Sequence, residues 1–199
     1  ALDVYSGGVW TKQLTNNPAW IFADLLTGEI NKRAISKDRL DTASLVEWAA
    51  FCDQVPTPPS GATFVRQRFT CNFILDYTPT LQSAINQVTS MGQASINIID
   101  GKYGVLIDKL RTVPVQVFTP RNSSGFSSSR NYSEQPHALK VSFIDPSANW
   151  ESRESLVYAD GYTAITAVKI DDVTSFGTTN PEQAWRLGRY MLAQNELRK

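Results

Sequence analysis

Three dipeptides fix where helices begin in this chain, and so limit what it can fold into. Asn17-Pro18, Thr78-Pro79 and Asn180-Pro181 each precede an apolar pattern of helical period. A short polar side chain caps the free N–H groups of a first turn, and proline at the next position loses only a donor that has no intrahelical partner. After the first, Trp20, Ile21, Ala23, Asp24 and Leu25 run to a stop at Gly28. After the second, Leu81, Ala84, Ile85, Val88 and Met91 form a buried stripe that Gly92 ends. After the third, Ala184, Trp185, Gly188 and Leu192 share a face. A fourth helix needs no proline: Asp41 or Thr42 caps it, and Leu45, Trp48, Ala49 and Cys52 recur at three and four residues.

The segments between read as strands and loops. Phe69, Cys71, Phe73 and Leu75 alternate with polar or neutral residues, the pattern of a half-buried strand. Asp100-Gly101-Lys102 joins two apolar runs, Ser95 to Asp100 and Tyr103 to Asp108, and predicts a hairpin. Further strands are expected at Val113 to Thr119, Ala138 to Ile144, Glu154 to Tyr158 and Ala164 to Ile170. Pro56 to Gly61 is a loop by turn chemistry. The order is not a regular strand–helix alternation. It predicts an α+β fold of mainly antiparallel β-sheets with flanking helices, divisible into two lobes. Residues 1–120 would form an α+β lobe, 121–137 a Ser-rich mobile loop, and 138–199 a β-rich segment ending in a helix. Six serines and one glycine fall among the fifteen residues from 121 to 135, and Phe126 and Tyr132 are the only large side chains there.

Composition narrows the chemistry. Of 199 residues, 42% are hydrophobic, and 19 basic side chains balance 19 acidic ones. Net neutrality argues against a general nucleic-acid binder, which needs excess cation. No apolar run approaches a membrane span of roughly 20 residues, and Ala1 to Tyr5 lacks the basic start and apolar stretch of a signal peptide. The absence of an initiator Met and the helical pattern still running at Lys199 suggest a piece of a longer protein. His137 is the sole histidine, so no multi-histidine metal site can form, and it reads as a hydrogen-bonding surface residue. Cys52 and Cys71 read as buried free thiols, with one disulfide left open. Gly7-Gly8 and Gly101 are turn glycines, since neither GxGxxG nor GxxxxGK[ST] is present. Asp145, Glu151, Glu154 and Asp171-Asp172 are the carboxylates near expected strand ends, where solvated acids are common. Five tryptophans are spread along the chain; Trp20, Trp48 and Trp185 fall on helical faces, whereas Trp150 lies in a polar stretch. No cofactor motif is present.

Several phrases resemble the host specificity protein J family, the tail-tip attachment proteins of long-tailed phages and prophages. Asn17 to Thr27 is similar to the family's first helix, and Leu45 to Asp53 to the next, with its Cys52-Asp53 ending. Arg68 to Asn72 resembles its strand, and Gly101-Lys102 with Val105 and Asp108 its hairpin. Phe118 to Asn122 with Gly125-Phe126 resembles the segment after it. Asn149-Trp150-Glu151, Val157-Tyr158, Gly177-Thr178-Thr179 and Gln183-Ala184-Trp185-Arg186 resemble the closing portion. The phrases occur in the family's order over most of the chain. Residues 28–35 depart from the family's Tyr-Gly-Leu-Gly type of phrase.

The resemblance implies a virion structural protein, synthesised in the host cytoplasm and placed at the tail tip. It implies a hub, commonly trimeric, that closes the tail tube, partners with other tail proteins, and positions host-receptor-binding parts found elsewhere in the full chain. It carries over no catalytic residue, metal or cofactor. Phe126, Tyr132 and Trp150 are the candidate interaction residues. The competing reading is a carbohydrate-binding or carbohydrate-cleaving module acting on the bacterial envelope, with Trp150 as platform and Asp145 or Glu151 as acid.

Overall fold

The computed structural model describes residues 1–58, 63–74, 79–114, 116–128 and 135–197. In chain order its elements are β1 (Leu2–Ser6), β2 (Val9–Gln13), α1 (Pro18–Thr27), α2 (Thr42–Asp53), α3 (Leu81–Met91), β3 (Ala94–Ile99), β4 (Lys102–Ile107), β5 (Ala138–Asp145), β6 (Glu151–Tyr158), β7 (Ile170–Thr174) and α4 (Pro181–Leu197). Short 3₁₀ turns cover Lys37–Arg39 and Pro146–Ala148. The fold is α+β. Two antiparallel hairpins, β1–β2 and β3–β4, stand beside a three-stranded sheet of order β6-β5-β7. In that sheet β5 pairs antiparallel with β6 and parallel with β7.

The helix starts follow the capping chemistry. Asn17 accepts from the Ala19 N–H, Asp41 from Ser44, and Asn180 from Glu182. The start of α3 differs from expectation. Thr80, not Thr78, caps it by accepting from the Ser83 N–H, and Pro79 lies before the cap. Thr78 itself lies outside the described residues, as does Leu75. Leu81 is exposed rather than part of the buried stripe, because it sits in the first turn above the packed face.

Two hydrophobic cores result. In the first, α1 packs on α2, α3 and β1, while α2 and α3 pack on the β3–β4 hairpin. Trp20, Phe22, Leu45, Trp48, Phe69 and Val88 are buried in it. The Trp48 ring meets Phe22 edge-on at 6.1 Å, and its Nε1 donates to the Gly92 carbonyl at 2.9 Å. An aromatic ring buried this fully is worth about 1.5–3 kcal/mol in transfer alone, and its indole N–H is satisfied. Cys52 and Cys71 are free and buried in the same core.

Residues 69–74 are not a strand. Phe69 and Cys71 are buried in alternation, as the pattern predicts, but among the described residues no sheet partner pairs with them. Their backbone groups are satisfied otherwise. Phe69 N–H donates to the Cys52 carbonyl, Cys71 to Asn16 and Asn72 to Gly177. Three side chains of α4 complete the set. Glu182 accepts from the Arg66 N–H, Gln183 both accepts from and donates to Thr70, and the Arg186 guanidinium donates to the Gln67 and Arg68 carbonyls. Buried backbone needs partners, and side chains supply them here in place of a ladder.

The second core lies between α4 and one face of the three-stranded sheet, where Leu139, Val141, Phe143 and Val157 meet Ala184 and Leu192. A Cβ at Gly188 would lie 2.9 Å from a Val157 methyl and 3.0 Å from one of Val141, so the absent side chain sets the helix-to-sheet spacing. Leu187, one position earlier on α4, belongs to the first core. One helix therefore serves both cores.

Two expected strands are absent. In Val113 to Thr119 the described residues are exposed and form no ladder. Pro114 and Pro120 interrupt the run, and proline cannot donate to a sheet. In Ala164 to Ile170 only Ile170 is in a strand; it opens β7. Residues 163–167 instead form a tight turn, in which the Thr166 and Ala167 N–H groups donate to the Thr163 carbonyl.

Candidate assembly surfaces

The sequence-derived candidates stand on separate loops. Phe126 is 92% exposed in the segment between β4 and β5. Trp150 is 65% exposed in the turn between β5 and β6. Tyr132 lies outside the described residues.

The Trp150 turn is built by Asp145. Its carboxylate accepts from the Ser147 N–H and hydroxyl at 2.9 and 2.7 Å and faces Arg153 at 3.4 Å. The chain then passes through left-handed backbone at Asn149 (φ 57°) and Trp150 (φ 63°). For non-glycine residues this is uncommon and is tolerated where surrounding bonds over-determine the turn. It holds the indole outward. The Ser147 bonds, with Arg153 adding to them, keep the Asp145 carboxyl below its ordinary range. An acid that donates a proton in glycoside cleavage needs the opposite shift, so Asp145 is suited to shaping the turn. Glu151 is exposed at the start of β6.

His137 pins a neighbouring loop. Its Nδ1 accepts from the Val168 and Lys169 N–H groups at 3.1 and 3.3 Å, and its ring stacks on Tyr162 at 4.1 Å. This is the hydrogen-bonding histidine that the sequence suggests.

The surface feature that sequence reasoning missed is an arm from Asp108 to Ser128. Its root is fastened twice. Tyr190 and Gln194 of α4 donate to the Asp108 carboxylate, and Lys109 pairs with Glu47 of α2. Beyond the root, every described residue from 110 to 128 is exposed. Leu110 is 91% exposed, Phe118 72% and Val117 67%. The arm nevertheless has local order. Asn122 Oδ1 accepts from the Thr119 N–H at 2.6 Å, its Nδ2 donates to the Val117 carbonyl at 2.8 Å, and the Ser123 N–H donates to the Thr119 carbonyl at 3.0 Å. This Asx-type turn presents Val117 and Phe118 to solvent on fixed backbone. The signal in the sequence was an apolar run broken by prolines, too short of donors for a strand and too apolar for an ordinary loop.

A second surface is the outer face of the three-stranded sheet. It presents Lys140, Ser142 and Ile144 from β5, Glu154 and Leu156 from β6, and Ile170 and Asp172 from β7. Lys140 pairs with Asp172 at 3.0 Å and Glu154 at 3.5 Å. The hydrogen bond to Asp172, then the two negative charges, push the Lys140 ammonium up. Ile144, Leu156 and Ile170 are exposed on this face. At one end, Ser142, Ile144, Ser152, Thr174 and Phe73 line a pocket of about 250 Å³.

Among the described residues, no group of three or more His, Cys, Asp or Glu is placed to hold a metal ion. Among them too, no helix is long and apolar enough to cross a membrane. Two adjoining grooves of about 660 and 520 Å³ flank α3 and α4, and the second is lined by uncharged residues only, including Phe176, Leu187 and Met191.

No family model matches the chain. It is similar to the tip attachment protein J of Escherichia phage SECphi27, with 25% identity over 194 residues covering 94% of this chain. The chain spans 16% of the length of that relative. The similarity points to a phage tail protein.

Proposed function

We propose that this chain is part of a phage or prophage tail-tip hub, a structural component that docks on other tail proteins and positions host-receptor-binding parts. The similarity to a tip attachment protein along nearly the whole chain carries this reading. The surface supports it. Large apolar side chains stand exposed on an arm with fixed backbone, and contiguous exposed apolar surface marks protein contact. In the assembled hub the chain is a homo-oligomer, taken as a trimer, located at the virion tail tip. Its work is done by shape and docking rather than by catalysis.

The test is reconstitution. Purified full-length protein is mixed with the tail-tube and neighbouring tip proteins of its own phage and followed by sedimentation. A complex is expected, and replacing both Phe126 and Tyr132 with Ser should weaken it while the fold persists. Absence of any complex contradicts the docking role.

The exposed Trp150 keeps the envelope-glycan reading in view as a second proposal. Screening against cell-wall and surface glycans tests it, with Trp150→Ala expected to abolish any binding found.

A further inference from the structure

The described part of the arm beyond its root and the apolar residues of the outer sheet face are both exposed, and they are complementary in charge. Beyond its root, where Lys109 already pairs with Glu47, the arm carries Arg111 and Arg121 and no carboxylate from residue 110 to 128. It also carries Leu110, Val117 and Phe118, all exposed. The outer sheet face has matching properties. Two carboxylates, Glu154 and Asp172, share the single Lys140 ammonium, which leaves the patch anionic. Ile144, Leu156 and Ile170 surround them with exposed apolar surface. The pocket beside Ile144 has room for a side chain such as Phe118. A fully desolvated aromatic anchor in a pocket, ringed by opposite charges, is how protein contacts concentrate affinity and set register.

We infer that the Val117–Phe118 tip of the arm docks on the outer face of the β6-β5-β7 sheet of a second copy of this chain, with Phe118 seated in the pocket beside Ile144. The second copy is the occupant because each chain carries both halves of the contact. The chain as a whole has no net charge to keep copies apart. Arm and sheet are different surfaces, so the contact is head-to-tail and closes into a ring when the rotation allows. The ordered Thr119–Ser123 turn lowers the entropy lost on docking. This inference deepens the hub reading and rests on it for its biological setting.

The experiment uses two full-length variants, Phe118→Cys and Ile144→Cys. The native Cys52 and Cys71 thiols are buried and stay out of the reaction. Circular dichroism first establishes that each variant keeps the parent spectrum. The two are mixed and gently oxidised. The expected product is a covalent dimer containing one chain of each kind, at about ten times the yield seen with either variant alone. No excess in the mixture overturns the inference. So does a chain carrying both substitutions that closes on itself at monomer mass while the mixture stays uncrosslinked, because the arm then folds onto its own sheet. Sedimentation equilibrium gives an independent reading. Phe118→Ser is expected to weaken self-association about tenfold or more, and an unchanged mass distribution contradicts the inference. Reconstitution with other tail proteins is a separate measurement. A complex there without self-association removes this contact and leaves the hub reading standing.

Discussion

The two cores are built from the same kinds of element and finished differently. The first surrounds its apolar side chains on all sides. Helices α1, α2 and α3 enclose Trp48 and Phe22, the β3–β4 hairpin closes one side, and the irregular stretch through Phe69 and Cys71 closes another. The second core has one side only. Helix α4 covers one face of the β6-β5-β7 sheet, and the other face stays open with Ile144, Leu156 and Ile170 exposed. The first region also exposes apolar side chains, such as Val9, Ile98, Ile99 and Leu106 on its hairpins, but the second leaves a whole sheet face open. We propose on this difference that the first region chiefly supplies stability and the second recognition; α4 links them through Leu187 on one side and Ala184 and Leu192 on the other.

Substitutions break this comparison to different degrees. Trp48→Ala removes the centre of the closed core and the bond to Gly92, and is expected to cost about 3–5 kcal/mol, read from chemical denaturation. A similar substitution on the open face, Leu156→Ala, should cost under about 0.5 kcal/mol. Equal costs would erase the distinction. Next comes Gly188→Val, which pushes methyl groups into Val157 and Val141. Overpacking of this kind costs about 1–3 kcal/mol. Because α4 serves both cores, calorimetry should still show a single transition at lower temperature. Two separate transitions would mean that the helix does not couple them.

Arg186→Ala sharpens the role of the side-chain clamp. Burial lowers the Arg186 pKa to about 10, against the opposing pull of Glu182, so the charge is held at a cost that its bonds to the Gln67 and Arg68 carbonyls must offset. Loss of the clamp should cost about 1.5–3 kcal/mol and speed hydrogen exchange at Phe69 and Cys71. Unchanged exchange there would show that the segment holds itself. The thiols give a related check. Burial pushes Cys71 up to about 12 and Cys52 higher still. Both should resist maleimide near neutral pH until the chain unfolds.

The smallest effect is electrostatic. The Asp145 carboxyl is depressed on folding, so the stability it contributes is complete above its unfolded pKa of about 4 and is lost as pH falls through the lower folded value. The gap in melting temperature between parent and Asp145→Ala should therefore be open near neutral pH and close in strong acid. A gap that widens in acid would contradict the sign.

Much of this architecture is legible in the sequence. Helix starts at Asn17, Asp41 and Asn180 follow from local capping, which depends on neighbours within three residues. The Asp100-Gly101 hairpin is equally local. For the β1–β2 hairpin the sequence reading extends to the Gly7-Gly8 turn only, and not to its strands; the two glycines take positive φ values of 58° and 90°. The misread segments share one cause. Alternation at Phe69, Cys71 and Phe73 reports burial, not a ladder, and partners such as Gln183 and Arg186 lie more than a hundred residues away in sequence. Val113 and Val117 alternate in sequence, but Val113 sits in a bend and both side chains are exposed. Trp150, in polar surroundings, and Phe126, isolated in a Ser-rich stretch, are both exposed in the fold. The neighbouring Val117 and Phe118 were passed over because an apolar run suggests a strand before it suggests an exposed arm.

We propose that this chain works at the distal end of a phage tail. Electron microscopy of intact tails from the strain that encodes it, labelled with an antibody that recognises the native protein, tests that directly. Label confined to the tail tip is the result expected. Label along the tube or on the head, or tails left bare while the same antibody binds the free native protein and partly disassembled tips, would contradict it.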